Sequence, residues 1–229
     1  MTDATELKRG RPGYDQRAVL TIAVAAFNEF GYDATSMGVL AKRLGLSKSA
    51  IYHHFAAKED ILELALDEAL TALEAVLVEN APTENAPTDN ISFERMPAET
   101  VPTETEPDAA TSAADRLAAV LRGAVAVLVD KLPSVTLLLR VRGNTDVERR
   151  ALTRRRAFDR AVAALVVQAR DEGSLRSDID PAIVSRLLFG MINSIVEWYR
   201  PGGPVDAETL AGDVLTVALD GLRTPSVGG

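Results

Sequence analysis

Cysteine is absent from the 229-residue sequence, and histidine occurs only at the adjacent positions His53 and His54. The absence of cysteine excludes disulfide bonds, thiolate metal sites and cysteine-based catalysis. Because no histidine lies outside this pair, an ordinary histidine-based metal or catalytic site is not expected either. The composition therefore argues against an enzyme, and we expect no cofactor.

Long apolar runs are also missing. No stretch approaches the roughly 18 apolar residues that a membrane span needs, and the polar N-terminus lacks the apolar core of a secretory signal. We therefore expect a cytoplasmic protein with no membrane partner. Hydrophobic residues nevertheless make up 47% of the chain, which is enough for a sizeable core in one small and one medium domain.

The net charge of −8 is distributed unevenly along the chain. Residues 1–58 carry 8 basic and 5 acidic side chains, a net charge of +3, whereas the remainder carries 17 basic and 28 acidic ones, a net charge of −11. Phosphate groups attract the first part, and the acidic remainder discourages unspecific contact with nucleic acid.

Residues 35–58 have the pattern of two short helices joined by a tight turn. Thr35 can cap the first helix, because its hydroxyl can accept a free backbone N–H, and Gly45 suits the end of that helix. Ser47 can then cap a second helix over residues 48–54. This arrangement is a helix-turn-helix, in which the second helix enters the DNA major groove. Apolar residues recur at helical spacing in the first helix, at Met37, Leu40, Ala41 and Leu44.

The second helix gathers small polar and cationic side chains on one face. Such donors at a helix N-terminus can meet base edges and phosphates. An ordinary helical hairpin with unremarkable surface residues is the alternative, but it does not account for donors gathered on one face. The residues predicted to contact DNA here are Thr35, Ser36, Ser47, Lys48, Ser49, Tyr52, His53 and Lys58.

Residues 15–62 resemble the DNA-binding domain of the TetR family of bacterial transcriptional repressors. Two departures from the family pattern are visible: Gly38 lies inside a helix, and Ala57 stands where a capping residue is usual. Glu59 and Asp60 partly compensate, since negative charge is favourable in a first helical turn. The resemblance rests on Phe27, Gly31, Tyr32, Thr35, Ser36, Leu40, Ala41, Gly45, Leu46, Ser47, Ser49, Tyr52, His53, Phe55, Lys58 and Leu62.

The first 14 residues form a basic arm that we expect to be flexible. Its Arg9-Gly10-Arg11-Pro12 string resembles an AT-hook core, in which arginines lie in a narrow minor groove. Arg9 and Arg11 are therefore further candidates for DNA contacts. A solvated tail that adds only unspecific attraction explains the same residues equally well.

Residues 61–78 are predicted to form a helix that connects the DNA-binding domain of residues 15–60 to the rest of the chain. The next segment, residues 79–112, repeats APTEN as APTDN and is rich in proline and acidic residues. So little apolar content cannot offset the entropy of ordering, and we predict a disordered acidic linker. A partner-binding or autoinhibitory role is the alternative.

Residues 113–223 are predicted to form a second helical domain, for ligand binding and dimerisation. We expect helices over residues 113–131, 144–172, 181–200 and 207–222, with another beginning at Pro133. The last two helices carry many apolar side chains, which suggests a four-helix bundle between two subunits. Those residues are Ile183, Leu187, Met191, Ile195, Trp198, Leu210, Val214, Val217 and Ala218.

Eight arginines fall between residues 140 and 160, and guanidinium groups suit phosphate binding. Residues 137–159 and 189–203 resemble TetR regulators of fatty-acid, steroid or phenylacetate breakdown, which sense coenzyme A thioesters. An apolar pocket with an arginine-lined mouth would fit such a ligand, whereas a solvated arginine-rich helix face is the alternative. The predicted ligand-binding residues are Arg140, Arg142, Phe158, Asn193 and Trp198.

The sequence thus predicts an all-α protein with an N-terminal helix-turn-helix domain and a C-terminal helical domain. The resemblance implies a homodimeric repressor that binds a palindromic DNA operator and is released by a small apolar effector such as an acyl- or aryl-coenzyme A. An architectural or effector-independent DNA-binding protein is the main alternative. A helical enzyme with a borrowed DNA-binding head is disfavoured by the missing cysteine, histidine and phosphate loop.

Overall fold

The computed structural model describes residues 15–82 and 111–222, and within these ranges it contains nine helices and no strand. This confirms the all-α prediction. None of the described helices is long and apolar enough to cross a membrane. The helices are α1 (Gln16–Phe30), α2 (Met37–Leu44), α3 (Lys48–Tyr52), α4 (Lys58–Glu79), α5 (Ala113–Asp130), α6 (Leu132–Arg140), α7 (Asp146–Asp171), α8 (Pro181–Trp198) and α9 (Ala207–Asp220).

Helices α1 to α3 form the helix-turn-helix unit around a small apolar core. Phe27 of α1, Leu40 of α2 and Ile51 of α3 meet there with at most 2% of their surface exposed. Gly45 ends α2 with a left-handed backbone, φ +63°, which glycine adopts without a steric penalty. Ser47 begins α3 by accepting the N–H of Ala50 on its hydroxyl at 3.2 Å.

The predicted cap of α2 is wrong by one residue. The N-cap is Ser36, whose Oγ accepts the N–H of Val39 at 3.3 Å. Thr35 is fully buried, and its Oγ1 donates to the carbonyl of Gly31 at 2.8 Å. Both residues can cap a helix, but the loop that follows α1 offers Thr35 a buried acceptor and leaves Ser36 on the surface.

Helix α4 connects the two parts of the molecule and is 22 residues long, or about 33 Å at 1.5 Å per residue. Its N-cap, Ala57, has no side-chain acceptor, but its backbone N–H donates to the carboxylate of Asp60 at 2.9 Å. Asp60 therefore compensates for the missing side-chain cap at Ala57 by a hydrogen bond as well as by its charge. The helix packs against α1 near one end and against α5, α6 and α7 over the rest.

A close contact fixes α4 against α5. Gly123 of α5 faces Val76 of α4 so closely that an added Cβ would lie 2.6 Å from Val76 Cγ1. No real side chain fits in that space, so glycine is needed here for packing and not for its backbone conformation. The contact sets how closely the two helices approach.

Helices α5 to α9 form the second domain, with α5 at its centre. Leu117, Val120 and Leu121 of α5 have no exposed surface. Most of the predicted helix ends lie within one or two residues of the observed ones, and the last helices stop at Trp198 and Asp220. Helix α3 also stops early, at Tyr52, whereas His54 was the predicted end.

Several sequence predictions lie outside the described residues. They include the basic arm with Arg9 and Arg11, and the acidic repeats. Two ends of the predicted linker are described and belong to helices, because α4 continues through Glu79 and Ser112 caps α5.

Candidate DNA-binding surface and ligand cavity

The predicted DNA-reading side chains of α3 lie on the surface. Ser47, Lys48, Ser49, Tyr52 and His53 are all exposed, and Tyr52 exposes 51% of its surface. The hydroxyls of Ser47 and Ser49 lie 2.9 Å apart, so the two share a hydrogen bond at the start of the helix. This face presents hydroxyl, ammonium and imidazole groups together, which is the chemistry that phosphates and base edges require.

Gly38 of α2 lies against the side chain of Lys48 on α3. A Cβ at position 38 would stand 3.1 Å from Lys48 Cε and 3.5 Å from its Nζ. The glycine that appears as a defect in the sequence therefore makes room for a cationic side chain of the exposed face.

Thr35 and Lys58, also predicted to contact DNA, are engaged inside the unit. Thr35 has no exposed surface, so its hydroxyl does not belong to the candidate surface. Lys58 is half-buried, and its Nζ donates to the carbonyl of Tyr32 at 2.9 Å and lies 4.0 Å from the Tyr32 ring centre. Burial raises the pKa of the Tyr32 hydroxyl well above its ordinary range, and the nearby carboxylate of Glu59 acts in the same direction.

An ion pair that sequence reasoning missed fastens α2 to α1. Arg43 donates to the carboxylate of Glu29 at 2.5 Å, and its guanidinium lies 5.5 Å from the ring centre of Phe30. The pair joins residues 14 positions apart, and no local sequence pattern identifies it.

The second domain contains a narrow apolar cavity of about 40 Å³. The rings of Phe158 and Phe189 meet in its wall with their centres 5.9 Å apart. Phe158 and Asn193, two of the predicted ligand-binding residues, line this cavity. Its walls come from α4 to α8 and comprise Leu73, Ala124, Leu128, Val135, Leu138, Leu139, Arg155, Phe158, Asp159, Phe189, Ile192 and Asn193.

The cavity adjoins an open groove of about 840 Å³ between α7 and α8. We call it the arginine groove, because Arg155, Arg156, Arg160 and Arg186 all line it. None of these four guanidinium groups forms a salt bridge with a described carboxylate. The cavity and the groove share Arg155, Asp159, Phe189 and Asn193, so an apolar space opens directly onto a cationic one.

The other three predicted ligand-binding residues do not line the cavity, although Arg140 lines an adjoining pocket together with Leu139, Arg155 and Asn193. Arg140 donates through Nη1 to the carbonyl of Asn28 at 2.7 Å, and with Arg142 it lines a groove of about 810 Å³ beside the helix-turn-helix unit. Trp198 exposes 53% of its surface and does not line the cavity. Arg140 is the last residue of α6 and reaches α1 through its bond to Asn28, whereas Arg142 follows the end of the helix.

Two arginines of the predicted cluster hold α7 in place against α4. Arg154 grips Glu74 of α4 with two hydrogen bonds of 2.8 Å and also pairs with Asp67. Arg150 pairs with Glu63 of α4 at 2.6 Å. Arg150 and Arg154 thus pack α7 against α4, whereas Arg156 and Arg160 are exposed and line the arginine groove.

Asp159 is the least expected residue at the cavity. Burial raises the pKa of its carboxyl group, and the nearby Arg155 partly offsets that effect. The helical spacing of the sequence could have identified both Asp159 and Arg155. Arg155, Phe158, Asp159 and Val162 stand at positions i, i+3, i+4 and i+7 of one helix, on the face that buries Phe158 and Val162.

The two domains are joined by hydrogen bonds as well as by α4. The side-chain amide of Asn28 on α1 donates to the carbonyl of Pro133 on α6 at 2.8 Å, next to the bond from Arg140. Helix α6 also supplies Val135 and Leu138 to the cavity wall. One short helix thus touches both the cavity and the helix-turn-helix unit.

Comparison with known proteins identifies the family. The chain is 41% identical to SCO3833, a TetR-family regulator of Streptomyces coelicolor A3, with 94% of each chain covered and a TM-score of 0.73. The chain belongs to the TetR family of transcriptional regulators. Residues 19–65 match the model described as "Bacterial regulatory proteins, tetR family", and residues 110–222 match "Tetracyclin repressor-like, C-terminal domain". The TetR resemblance of residues 15–62 is thereby confirmed, and the family consists of regulators and not of enzymes.

Two further TetR proteins are informative. The transcriptional repressor KstR2 of Rhodococcus jostii strain RHA1 is 27% identical over 227 residues, which cover 97% of this chain and 96% of that protein. AibR, whose crystal structure contains isovaleryl coenzyme A and operator DNA, is 19% identical, with 89% of this chain and 97% of AibR covered and a TM-score of 0.64. The latter likeness shows the fold alone.

Proposed function

We propose that this TetR regulator is a homodimeric repressor, which binds a palindromic operator and is released by an acyl- or aryl-coenzyme A thioester. The observation that carries the proposal is the apolar cavity that opens onto four arginines, none of which forms a salt bridge with a described carboxylate. Coenzyme A carries several phosphates and holds its acyl group at the end of a neutral arm, so it matches a cationic groove that leads to an apolar space.

On the DNA side, we assign contacts to the exposed face of α3 and to Ser36. Ser47, Lys48 and Ser49 are placed for phosphates and base edges, and Tyr52 for bases. Thr35 acts only by supporting the loop before α2. Lys58 contributes a positive charge that internal contacts hold in place. Arg9 and Arg11 of the N-terminal arm are assigned to the adjacent minor groove.

Dimerisation is assigned to a stripe along α8 and one position of α9. Ile183, Leu187, Trp198 and Val217 expose 50–70% of their surfaces, which is unusual for large apolar side chains. Other members of the predicted interface are excluded, because Ile195, Leu210, Val214 and Ala218 are at most 8% exposed and belong to the chain's own core. A twofold pair of chains presents two α3 helices, which should lie about 34–36 Å apart to read both half-sites.

Release by the effector follows from the cavity's position between α4 and α6. The cavity is too small for more than a few atoms, so a bound acyl group must move the walls that Leu73 and Leu138 provide. Helix α4 leads directly to the helix-turn-helix unit, and α6 is hydrogen-bonded to α1. The effector must therefore favour the state that binds DNA poorly, by the same factor with which it weakens DNA binding.

The deciding experiment titrates coenzyme A thioesters into a complex of the protein and a labelled inverted repeat from its own upstream DNA. Fluorescence anisotropy should show tight binding to this fragment, weak binding to random DNA, and release by the effector. Equal affinity for both DNA fragments would favour an architectural protein. A thioester that binds the protein but leaves operator affinity unchanged would refute the coupling.

The double variant Arg156→Ala with Arg160→Ala tests the arginine groove. Losing two charge-assisted contacts to phosphate should raise the effector concentration needed for release by about tenfold or more, at roughly 1.4 kcal/mol per factor of ten. Operator affinity without effector should stay unchanged. Arg149→Ala is the matched control, since Arg149 lies on the same helix but pairs with Asp146 outside the groove. If the double variant and Arg149→Ala raise the effector concentration needed for release equally, the arginine groove does not bind the effector.

A further inference from the structure

Asp159 occupies the junction between the cavity and the arginine groove. It lines both spaces together with Arg155 and Asn193, at the place where an apolar wall gives way to a cationic one. Within the described residues its carboxylate has no hydrogen-bond partner and no salt bridge, and burial raises its pKa. A half-buried carboxylate beside an apolar cavity carries a cost that packing alone does not explain.

The charges at this junction are balanced. Arg155 is the group that partly offsets the effect of burial on Asp159, so the two side chains compensate each other's charge. The remaining arginines of the groove, Arg156, Arg160 and Arg186, do not line the apolar cavity. A neutral group at the junction therefore meets no net charge. An anionic group is repelled by the carboxylate of Asp159, and Arg155 does not attract it in return because its charge is already compensated.

We propose that Asp159 makes the protein reject free carboxylic acids and accept their thioesters. The inference rests on the proposed function, because it assumes that the ligand's acyl tail fills the cavity and its phosphates lie in the arginine groove. The acyl carbonyl then lies at the junction. A thioester is neutral there, whereas the free acid with the same tail must place its carboxylate beside Asp159.

Asn193 complements this selection. Its side-chain amide lines the same junction, has no hydrogen bond to the described residues, and can donate to the carbonyl oxygen of a thioester. The junction thus offers one donor for a neutral carbonyl and one negative charge against a carboxylate. The regulator thereby distinguishes an activated acid from the same acid after hydrolysis.

The experiment compares wild-type protein with Asp159→Asn, which keeps the shape of the side chain and removes its charge. Calorimetry measures binding of octanoyl-coenzyme A, octanoic acid, phenylacetyl-coenzyme A, phenylacetic acid and unacylated coenzyme A. In the variant Arg155 is no longer compensated, so the free acids should gain about tenfold or more in affinity. The thioesters should change by less than threefold once the change for unacylated coenzyme A is subtracted.

Two further variants control for folding and for general charge effects. Asp159→Glu keeps the negative charge and should reject the acids as wild type does. Asp171→Asn removes a carboxylate from the end of the same helix, where it pairs with Arg170 and does not line the cavity. It should leave the affinity for every ligand unchanged. Folding of each variant is checked by its thermal transition and by retained operator binding.

The outcomes separate the inference from the function on which it rests. Thioester binding by the wild type with an unchanged ratio of acid to thioester affinity in Asp159→Asn would overturn the role of Asp159 alone. If no thioester or acid of the panel binds either protein, the proposed effector class is overturned together with the inference. If Asp159→Asn gains affinity only for the acids and Asp159→Glu gains none, the result would support both the role of Asp159 and the proposed effector class.

Discussion

Among single residues, Gly38 leaves space for the exposed lysine at position 48. Its missing side chain leaves room for Lys48, whose Cε would lie 3.1 Å from an added Cβ. Glycine inside a helix costs about 1 kcal/mol relative to alanine, so the position trades helix stability for the placement of a cation.

Gly38→Ala should therefore stabilise the protein by up to about 1 kcal/mol while weakening operator binding by less than tenfold. The flexible end of Lys48 can move aside, which makes the added methyl group tolerable but displaces the ammonium group. Thermal unfolding and operator titration measure the two effects. In a Lys48→Ala background the same change should cost no further affinity, and a loss that persists there would refute the explanation.

Sequence reasoning at this scale identified the exposed donors of α3 correctly, because their spacing relative to Ile51 and Phe55 shows which face is buried. It misplaced the cap of α2, since Thr35 and Ser36 are adjacent and chemically similar. Only the fold reveals that the carbonyl of Gly31 lies within reach of Thr35. Pairs such as Arg43 with Glu29 are equally invisible before two helices are packed together.

At the scale of helices, Arg154 is the main polar connection between α7 and α4. It forms a forked pair with Glu74 and a second pair with Asp67. The hydrogen bonds from Arg154 hold the pKa of Glu74 below its ordinary value of 4.5. A carboxylate with a lowered pKa adds stability above pH 4.5, and that contribution is lost as the pH falls below 4.5.

We expect Arg154→Lys to destabilise the protein by about 0.5–1 kcal/mol at pH 7, the range for partly exposed pairs, because lysine cannot form the forked contact. Urea denaturation at pH 7 and at pH 3 measures the effect, which should shrink at the lower pH as Glu74 is protonated. Arg149→Lys serves as the control, since its partner Asp146 lies on the same helix. Equal losses from both substitutions would show that the α4–α7 pairing adds nothing specific.

Helix ends were the most predictable feature at this scale. Asp15, Ser47 and Asp180 each accept a backbone N–H of the first turn, and for Ser47 this cap was predicted from the sequence. The arginine cluster was not predictable in the same way. Neighbouring arginines of one helix face different surfaces, and whether each meets α4 or the groove depends on packing between distant segments.

For the whole molecule, the exposed apolar stripe on α8 and α9 carries the dimer proposal. Leu187, at the centre of that stripe on α8, exposes 66% of its surface. We expect Leu187→Glu to convert the dimer into monomers, because two carboxylates would have to be buried across a twofold axis. Analytical ultracentrifugation should show the change, and operator affinity should fall by at least about a hundredfold as the second half-site is lost.

Val78→Glu is the matched control for that prediction. Val78 is also a large exposed side chain, at 75%, but it lies near the end of α4 and outside the stripe. Its substitution should leave both the mass of the particle and DNA binding unchanged. A monomeric wild-type protein, or a Leu187→Glu variant that remains dimeric, would place the interface elsewhere.

The overall architecture was accessible from the sequence because local periodicity and the TetR resemblance agree over residues 15–62. The cavity was only partly accessible. Phe158 and Asn193 were recognised as candidates, but the walls come from five helices whose contacts span up to 120 positions of the chain. Burial patterns identify core residues, and they do not show which of those residues border an empty space.

The close contact between Gly123 and Val76 has a mechanical consequence for the repressor. It blocks a closer approach of α4 to α5, so a tilt of α4 toward α5 would turn about this contact. Leu73, in the cavity wall, lies about 4.5 Å along the helix from this point, whereas Lys58 at the DNA-binding end lies about 27 Å away, at 1.5 Å per residue. The lever arms differ by about sixfold on that helical rise, so a displacement of half an ångström at the cavity becomes about 3 Å at the reading head.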